Sequence, residues 1–480
     1  MSTTAGKKDR TILQFIVFCV IAALGWILPA PAPITTEGMH LIGVFVAAIY
    51  GWSVSTEVWP SLATLILIPL TGMTTPQEFL ANSWGSDTVW FIVLLFVLVS
   101  FLEVTGTTGY VAAFLMTRKS LAGHPWRLIF MIFICAWVLS TFCGNFPGML
   151  ITWGFIYKIC DVLGYKPFDK FANLLIFGVA VMGALSLSAV PWANNALVIL
   201  SAYTASSGQQ INYLHYLAYS IPFGIFSILG FMLICKFIFR LDVTKLKELD
   251  PNLFGSSELK LTAERKTALI GLAALIIILV VPSLLPADNP IRVLSTSLGL
   301  SMKTALVFLV LSFIKIDGKY VFKFGELATK GVPWNMVMMT CGIMCFVGLL
   351  GSEKAGIGAF LGQVFTPLFQ NTSVIVFFLL TLLITIFLTN FMINMVVAVI
   401  MITATMPIAT GLGVDPLQIV YLITVSCTIA FMLPAASAAS CCLFANTKWV
   451  RAKDVYKYSV PTIILLAVIA FVWDFILFLF

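Results

Sequence analysis

The chain carries little charge for its length: only 10% of its 480 residues are Asp, Glu, Lys or Arg. Soluble domains carry roughly a quarter, so a water-soluble globular protein is excluded. Its three histidines, His40, His124 and His215, fall near the ends of apolar runs or in loops and read as interfacial. The ten cysteines include no Cys-x-x-Cys pair, and Cys341, Cys345, Cys441 and Cys442 read as small apolar helix residues rather than metal or disulfide ligands. No Ser/His, paired-Asp or His-Glu-x-x-His constellation occurs in the apolar runs, which argues against an enzyme and leaves no cofactor to expect. The net charge of +7 is spread between those runs, so no nucleic-acid partner is expected.

What the chain does contain is apolar sequence: 60% hydrophobic residues and a mean hydropathy of +1.05. Spans of about 20 such residues cross a bilayer. The expected fold is an all-α polytopic membrane protein with about 11 transmembrane helices plus two re-entrant hairpins, with the lipid bilayer as its surroundings. Residues 1–38 hold a basic tail and a first span, about 11–28, without a small-x-small cleavage site. A first repeat covers 39–240 and a second 267–480, separated by the polar stretch 241–266 with Lys245, Lys247, Glu248, Asp250, Glu258, Glu264, Arg265 and Lys266. Within the first repeat, 126–160 is too long for one simple span and carries Gly144, Pro147 and Gly148 around Asn145, so two half-length helices meeting at a tip are expected. Residues 171–206 are interrupted by Ser186, Ser188, Pro191, Asn194 and Asn195 and read as a span broken near its middle. The second repeat offers a hairpin at 373–410, a broken span at 417–447 and an unbroken span 8 at about 291–314.

The two hairpins share a pattern of Leu, hydroxyl residue, x, Phe, x, x, Asn: Leu139-Ser140-Thr141-Phe142-Cys143-Gly144-Asn145 and Leu388-Thr389-Asn390-Phe391-Met392-Ile393-Asn394. A primary amide in apolar surroundings is costly unless satisfied, so two amides at matching positions point to a site built by an internal repeat. Lys and Arg fall almost entirely on one side if the N-terminus is cytoplasmic, with Arg292, Lys354 and the intramembrane Lys303 as exceptions. The expected location is the cell membrane, with the C-terminus outside. The chain then crosses five times between the two asparagines, so the hairpins enter from opposite faces and the repeat is inverted.

No Asp or Glu lies in either tip or either broken span; Glu103 and Asp474 sit near span ends. A proton-driven carrier usually shows an intramembrane carboxylate or histidine. The midplane residues are Ser140, Thr141, Asn145, Ser186, Ser188, Asn194, Asn195, Thr389, Asn390, Asn394, Ser437 and Ser440. Hydroxyls, amides and freed carbonyls are hard oxygen ligands that suit Na⁺, and half-helix N-termini attract an anion. The plainer role for any single Ser, Thr or Asn is interhelical hydrogen bonding.

Thr385-Ile386-Phe387-Leu388-Thr389 leading to Asn394, then Phe431-Met432-Leu433-Pro434-Ala435-Ala436-Ser437-Ala438-Ala439-Ser440, resemble the second hairpin and break of the divalent anion/sodium symporter family. The likeness runs from about span 2 to the end. It implies a homodimer in which a transport domain moves past a scaffold. In the family a Ser-Asn-Thr triplet marks each tip, and its Asn helps bind Na⁺ and substrate. Here the triplets read Gly144-Asn145-Phe146 and Ile393-Asn394-Met395, keeping both Asn and neither Ser nor Thr. By resemblance the sodium ligands are Ser140, Gly144, Asn145 and Val190 in one repeat and Thr389, Asn394 and Ala436 in the other. The substrate pocket is Asn145, Phe146, Pro191, Asn194, Asn394, Met395, Ser437 and Ser440. Phe146 and Met395 make that pocket more apolar, which favours a monocarboxylate or larger organic anion over a small C4 dicarboxylate. The expected function is therefore secondary transport of a small anion, Na⁺-coupled, by elevator-type alternating access. The rivals are a sodium-independent exchanger or uniporter, a cation/proton antiporter lacking its buried acid, a channel without a filter-like repeat, and an intramembrane enzyme.

Overall fold

The structure, a computed structural model, describes residues 2–479 apart from 56, 118–120, 122, 249–259, 287, 351, 361–362, 364–372 and 435. Arg118 and Lys119, and Asp250 and Glu258 of the polar stretch between the repeats, lie outside the described residues. The first half runs α1 (Ser2–Ile27), α2 (Thr36–Val54), α3 (Trp59–Leu70), α4 (Pro76–Asn82), α5 (Asp87–Val104), α6 (Thr107–Met116), α7 (Pro125–Phe142), α8 (Asn145–Leu163), α9 (Lys170–Leu185), α10 (Asn194–Ser207) and α11 (Tyr213–Leu233). The second runs α12 (Ala263–Val280), α13 (Pro290–Ser312), α14 (Phe324–Gly331), α15 (Trp334–Leu350), α16 (Val374–Thr389), α17 (Asn394–Gly411), α18 (Pro416–Ser426), α19 (Ala438–Ala445) and α20 (Ala452–Leu479). Between α13 and α14 a two-stranded antiparallel turn pairs Lys315 with Tyr320 and Ile316 with Lys319.

The protein is an all-α polytopic membrane protein. Among the described residues, nine helices are long and apolar enough to cross a bilayer, or up to ten if the bent pair α14 and α15 forms one span. This differs from a count of about 11 because α3, α16 and α18 are apolar but shorter, while α7, α8 and α17 qualify singly. The arms of the first hairpin are thus not half-length: α7 has 18 residues and α8 has 19, about 27 Å each at the helical rise. Span 8 is not continuous either, because Gly299 interrupts α13 with φ 65 and ψ −170.

The core centres on α9. Every residue from Phe171 to Leu185 is buried, as expected of a helix that is hydrophobic all round. It packs on α7, α8 and α19, so the first hairpin and the second break meet across it. Phe177 of α9 joins Phe231 of α11 (ring centroids 5.9 Å apart) to Phe431 of the second break (5.8 Å). Many outward side chains of α1, α13 and α20, such as Ile27, Val310 and Ile464, are exposed and apolar, the surface that lipid covers.

Candidate functional site

The first tip is closed by Gly144, whose φ of 90 lies where only glycine sits without strain. Asn145 then opens α8. Its Nδ2 donates to the carbonyl of Gly183 in α9 (2.8 Å), and the Ser140 hydroxyl approaches the Asn145 carbonyl at 3.5 Å. The amide oxygen of Asn145 is buried and has no hydrogen-bond partner.

After α9 the chain makes one turn of 3-10 helix, Ser186–Ser188, and leaves helical geometry until Asn194 opens α10. Pro191 has no N–H to extend the helix. Freed carbonyls need donors. The Ser188 carbonyl takes the Tyr216 hydroxyl (2.8 Å) and the Ala189 carbonyl the Ser220 hydroxyl (2.9 Å), both from α11. The Val190 carbonyl takes the amide of Ala193 (3.0 Å). The amide oxygen of Asn194 is buried and bare, as is Nδ2 of Asn195.

The second tip has no glycine or proline, yet the helix stops at Thr389 and restarts at Asn394. Thr389 explains part of this. Its hydroxyl lies 3.0 Å from Oδ1 of Asn394 and 2.8 Å from the carbonyl of Cys427. Asn390 fastens the tip to the second break: Nδ2 donates to the Ile429 carbonyl (2.9 Å), and Oδ1 accepts the amide of Met432 (3.0 Å). Within the break, Ser437 donates to the Ala430 carbonyl (2.6 Å) and caps α19 by accepting the Ser440 amide (3.1 Å). The Ser440 hydroxyl donates to the Leu433 carbonyl (2.5 Å).

The two breaks touch. The Ser188 and Thr428 hydroxyls are 3.4 Å apart in the buried centre. Ser140, Asn145, Val190, Pro191 and Asn194 therefore gather around the first break, and Thr389, Asn394, Ala436, Ser437 and Ser440 around the second. Phe146 is 45% exposed, whereas Met395 is 3% exposed and packed in the core. Of the residues expected at the substrate, only Pro191 lines the large cavity between α5, α10 and α13.

Sequence reasoning gave Asn390 no part in the site. It stands at the x of the tip pattern, and the structure makes it the clasp of the second break. It also set Asp474 aside as a span-end acid. Asp474 is 1% exposed; one carboxyl oxygen accepts the Tyr219 hydroxyl (3.3 Å) and the other is bare. No group of three or more His, Cys, Asp or Glu residues suited to a metal occurs among the described residues.

The whole chain superposes on two solved transporters. The Alcanivorax borkumensis YdaH transporter matches over 97% of this chain and 96% of its own, with a TM-score of 0.55 at 14% identity. Neisseria gonorrhoeae MtrF, from a class of antimetabolite efflux pumps, matches over 95% and 97%, with a TM-score of 0.56 at 11% identity. At such identities the likeness concerns the fold alone. In sequence, the chain is 22% identical over 315 residues to the putative malate transporter YflS of Bacillus subtilis, covering 57% of this chain and 64% of that protein. It is 24% identical over 269 residues to the inorganic phosphate transporter PHO87 of Saccharomyces cerevisiae, covering 55% of this chain and 26% of that protein. The chain thus spans under two thirds of the curated relatives it matches. The family model for citrate transporters matches residues 45–426, taking in both tips and the first half of the second broken span. A buried pair of interrupted helices, uncharged at its centre, is carrier architecture rather than enzyme architecture, and with that match the chain belongs to the citrate transporter family.

Proposed function

We propose that the protein is a secondary active transporter of a small organic anion, carrying a carboxylate substrate of the citrate or malate type across the cell membrane. The observation that carries this reading is the contact of two interrupted helices, Ser188 to Thr428 at 3.4 Å, with Asn145 tied to the helix before the first break and Thr389 and Asn390 to the second. Discontinuous helices offer free N–H groups to an anion and free carbonyls to a cation without any buried arginine.

Na⁺ is the proposed coupling ion, and the first break is its favoured site. The buried amide oxygens of Asn145 and Asn194, one at the first tip and one at the end of the first break, lack donors, and bare amide oxygens suit a hard cation. At the second break one Thr389 proton is shared between the amide oxygen of Asn394 (3.0 Å) and the Cys427 carbonyl (2.8 Å), so that oxygen has a donor in reach, unlike those of the first break. The first break is therefore expected to hold Na⁺ more tightly than the second. The N-terminus is proposed to be cytoplasmic, the hairpins re-entrant from opposite faces in an inverted repeat, and the working unit a homodimer with an elevator-type transport domain.

One observation favours a second reading, a sodium-independent carrier coupled to protons. Asp474 is a buried carboxyl with a bare oxygen beside Tyr219, the kind of group a proton-coupled carrier uses.

Uptake of labelled citrate or malate into proteoliposomes, under a Na⁺ gradient and then a pH gradient, separates the two. Na⁺-driven accumulation supports the first. Accumulation driven by pH alone, and lost in Asp474→Asn, replaces it with the second. No saturable uptake of either anion under any gradient rejects carboxylate transport.

A further inference from the structure

A cavity of about 910 Å³ lies between α5, α10 and the broken helix α13, away from both asparagine tips. The break in α13 is built around Asp87. Its carboxylate accepts the amides of Leu300 (2.7 Å) and Ser301 (2.9 Å) and also the Ser301 hydroxyl. A Cβ on Gly299 would lie 2.8 Å from that carboxylate, so glycine is needed for space as well as for its positive φ. Asp87 is thereby committed to the N-terminus of the second half of α13.

Lys303 follows one turn later and lines the cavity. It is 7% exposed, so its aliphatic stem is buried and its ammonium is held at the cavity wall. Its Nζ donates to the Ser295 hydroxyl at 3.3 Å. The one ion pair among the described residues is Lys323 with Glu326; Asp87, on the same cavity wall, acts on Lys303 electrostatically from beyond ion-pair distance and spends its hydrogen bonds on Leu300 and Ser301. An ammonium has three donors and no acceptor, and burying one without a counter-ion is costly. Arg292, also on the cavity wall, spends one donor on the Leu285 carbonyl (2.7 Å). The facing wall carries Pro191, the residue that interrupts the first broken span.

We propose that this cavity is a second anion site, distinct from the asparagine tips. It takes a carboxylate or phosphate-type oxyanion group on the Lys303 ammonium, with the Ser295 hydroxyl and the Arg292 guanidinium beside it. The proposal rests on the reading of the protein as an anion carrier and deepens it: the site is a vestibule that holds the anion before it passes Pro191 to the break. Asp87, Arg292 and the turn Gln210–Tyr213 sit at corresponding ends of their helices, and with a cytoplasmic N-terminus that end faces outward.

The test is equilibrium binding of citrate, malate and inorganic phosphate, each used separately, to the purified full-length protein at low ionic strength. Lys303→Gln should weaken binding of whichever probe binds by about tenfold or more, as expected on losing a charge-assisted contact. Lys303→Arg should stay within a few-fold of the parent. Asn145→Ala, which is expected to stop transport, should keep its Lys303-dependent binding, so failure of transport and failure of this site are read separately. If Lys303→Gln does not fold, Ala205→Trp, which narrows the cavity from α10 and leaves Lys303 in place, should weaken binding as strongly. Unchanged affinity in Lys303→Gln or Ala205→Trp overturns the proposal. So does loss of all binding in Asn145→Ala, or the absence of binding by all three probes in the parent protein.

Discussion

The two interrupted spans solve the same problem with different donors. At the first, the carbonyls freed by the break are served from outside it, by Tyr216 and Ser220 of α11, and the amide oxygens of Asn145 and Asn194 stay bare. At the second, the break and its tip serve themselves through Thr389, Asn390, Ser437 and Ser440. A buried acceptor without a donor costs free energy, so the first break, with two amide oxygens that no donor reaches, holds more unmet demand than the second, where one Thr389 proton is shared between two acceptors. The difference teaches that matching sequence patterns need not make matching sites. Two like breaks can differ, with oxygens left bare at one and donors in reach of the acceptors at the other.

The sharpest way to break this comparison is at the tips. Asn145→Ala and Asn394→Ala should each lower uptake by about a hundredfold or more, as expected when a polar group at a broken-helix tip is lost from the transport site. Only Asn145→Ala should also abolish thermal stabilisation by Na⁺, which for a bound ion at a hundred times its Kd is about 2.7 kcal/mol. Loss of Na⁺ stabilisation in Asn394→Ala, or its survival in Asn145→Ala, would show the two halves to be equivalent after all.

A smaller effect separates the positions between hydroxyl and Phe in the tip pattern. Asn390→Leu strands the Ile429 carbonyl and the Met432 amide and should cost about 2 kcal/mol in unfolding measurements. Thr141→Val, at the equivalent position, removes only a bond to its own helix at Trp137 (2.7 Å) and should be near neutral. Equal losses would erase the distinction. Ser437→Ala removes both the cap of α19 and the donor to the Ala430 carbonyl and should cost about 2 kcal/mol, comparable with Asn390→Leu. Next in size, Tyr216→Phe strands the Ser188 carbonyl and should cost about 1 kcal/mol; thermal melts in detergent resolve both. Uptake by Tyr216→Phe should keep the parent's Na⁺ dependence, because Tyr216 braces the break and touches neither bare amide.

Composition and pattern sufficed for much of the architecture. Charge scarcity and long apolar runs dictate a polytopic helical membrane protein, because backbone groups in lipid must be satisfied within helices. Gly144 and Pro191 announce interruption, since one permits a positive φ and the other withholds an N–H. Asn145 and Asn394 stand out because an amide in an apolar run demands a partner.

What those partners are was decided only in three dimensions. The second tip stops its helix without a breaker because Thr389 and Asn390 find acceptors at Cys427 and Ile429, far along the chain. Span 8 breaks at Gly299 because Asp87, on another helix, caps the segment beyond it. Asp474 looks terminal in sequence and is buried in space. Local propensity marks where a helix can stop. Which donor meets which freed carbonyl, and which oxygen is left bare for an ion, depends on helices brought together by packing.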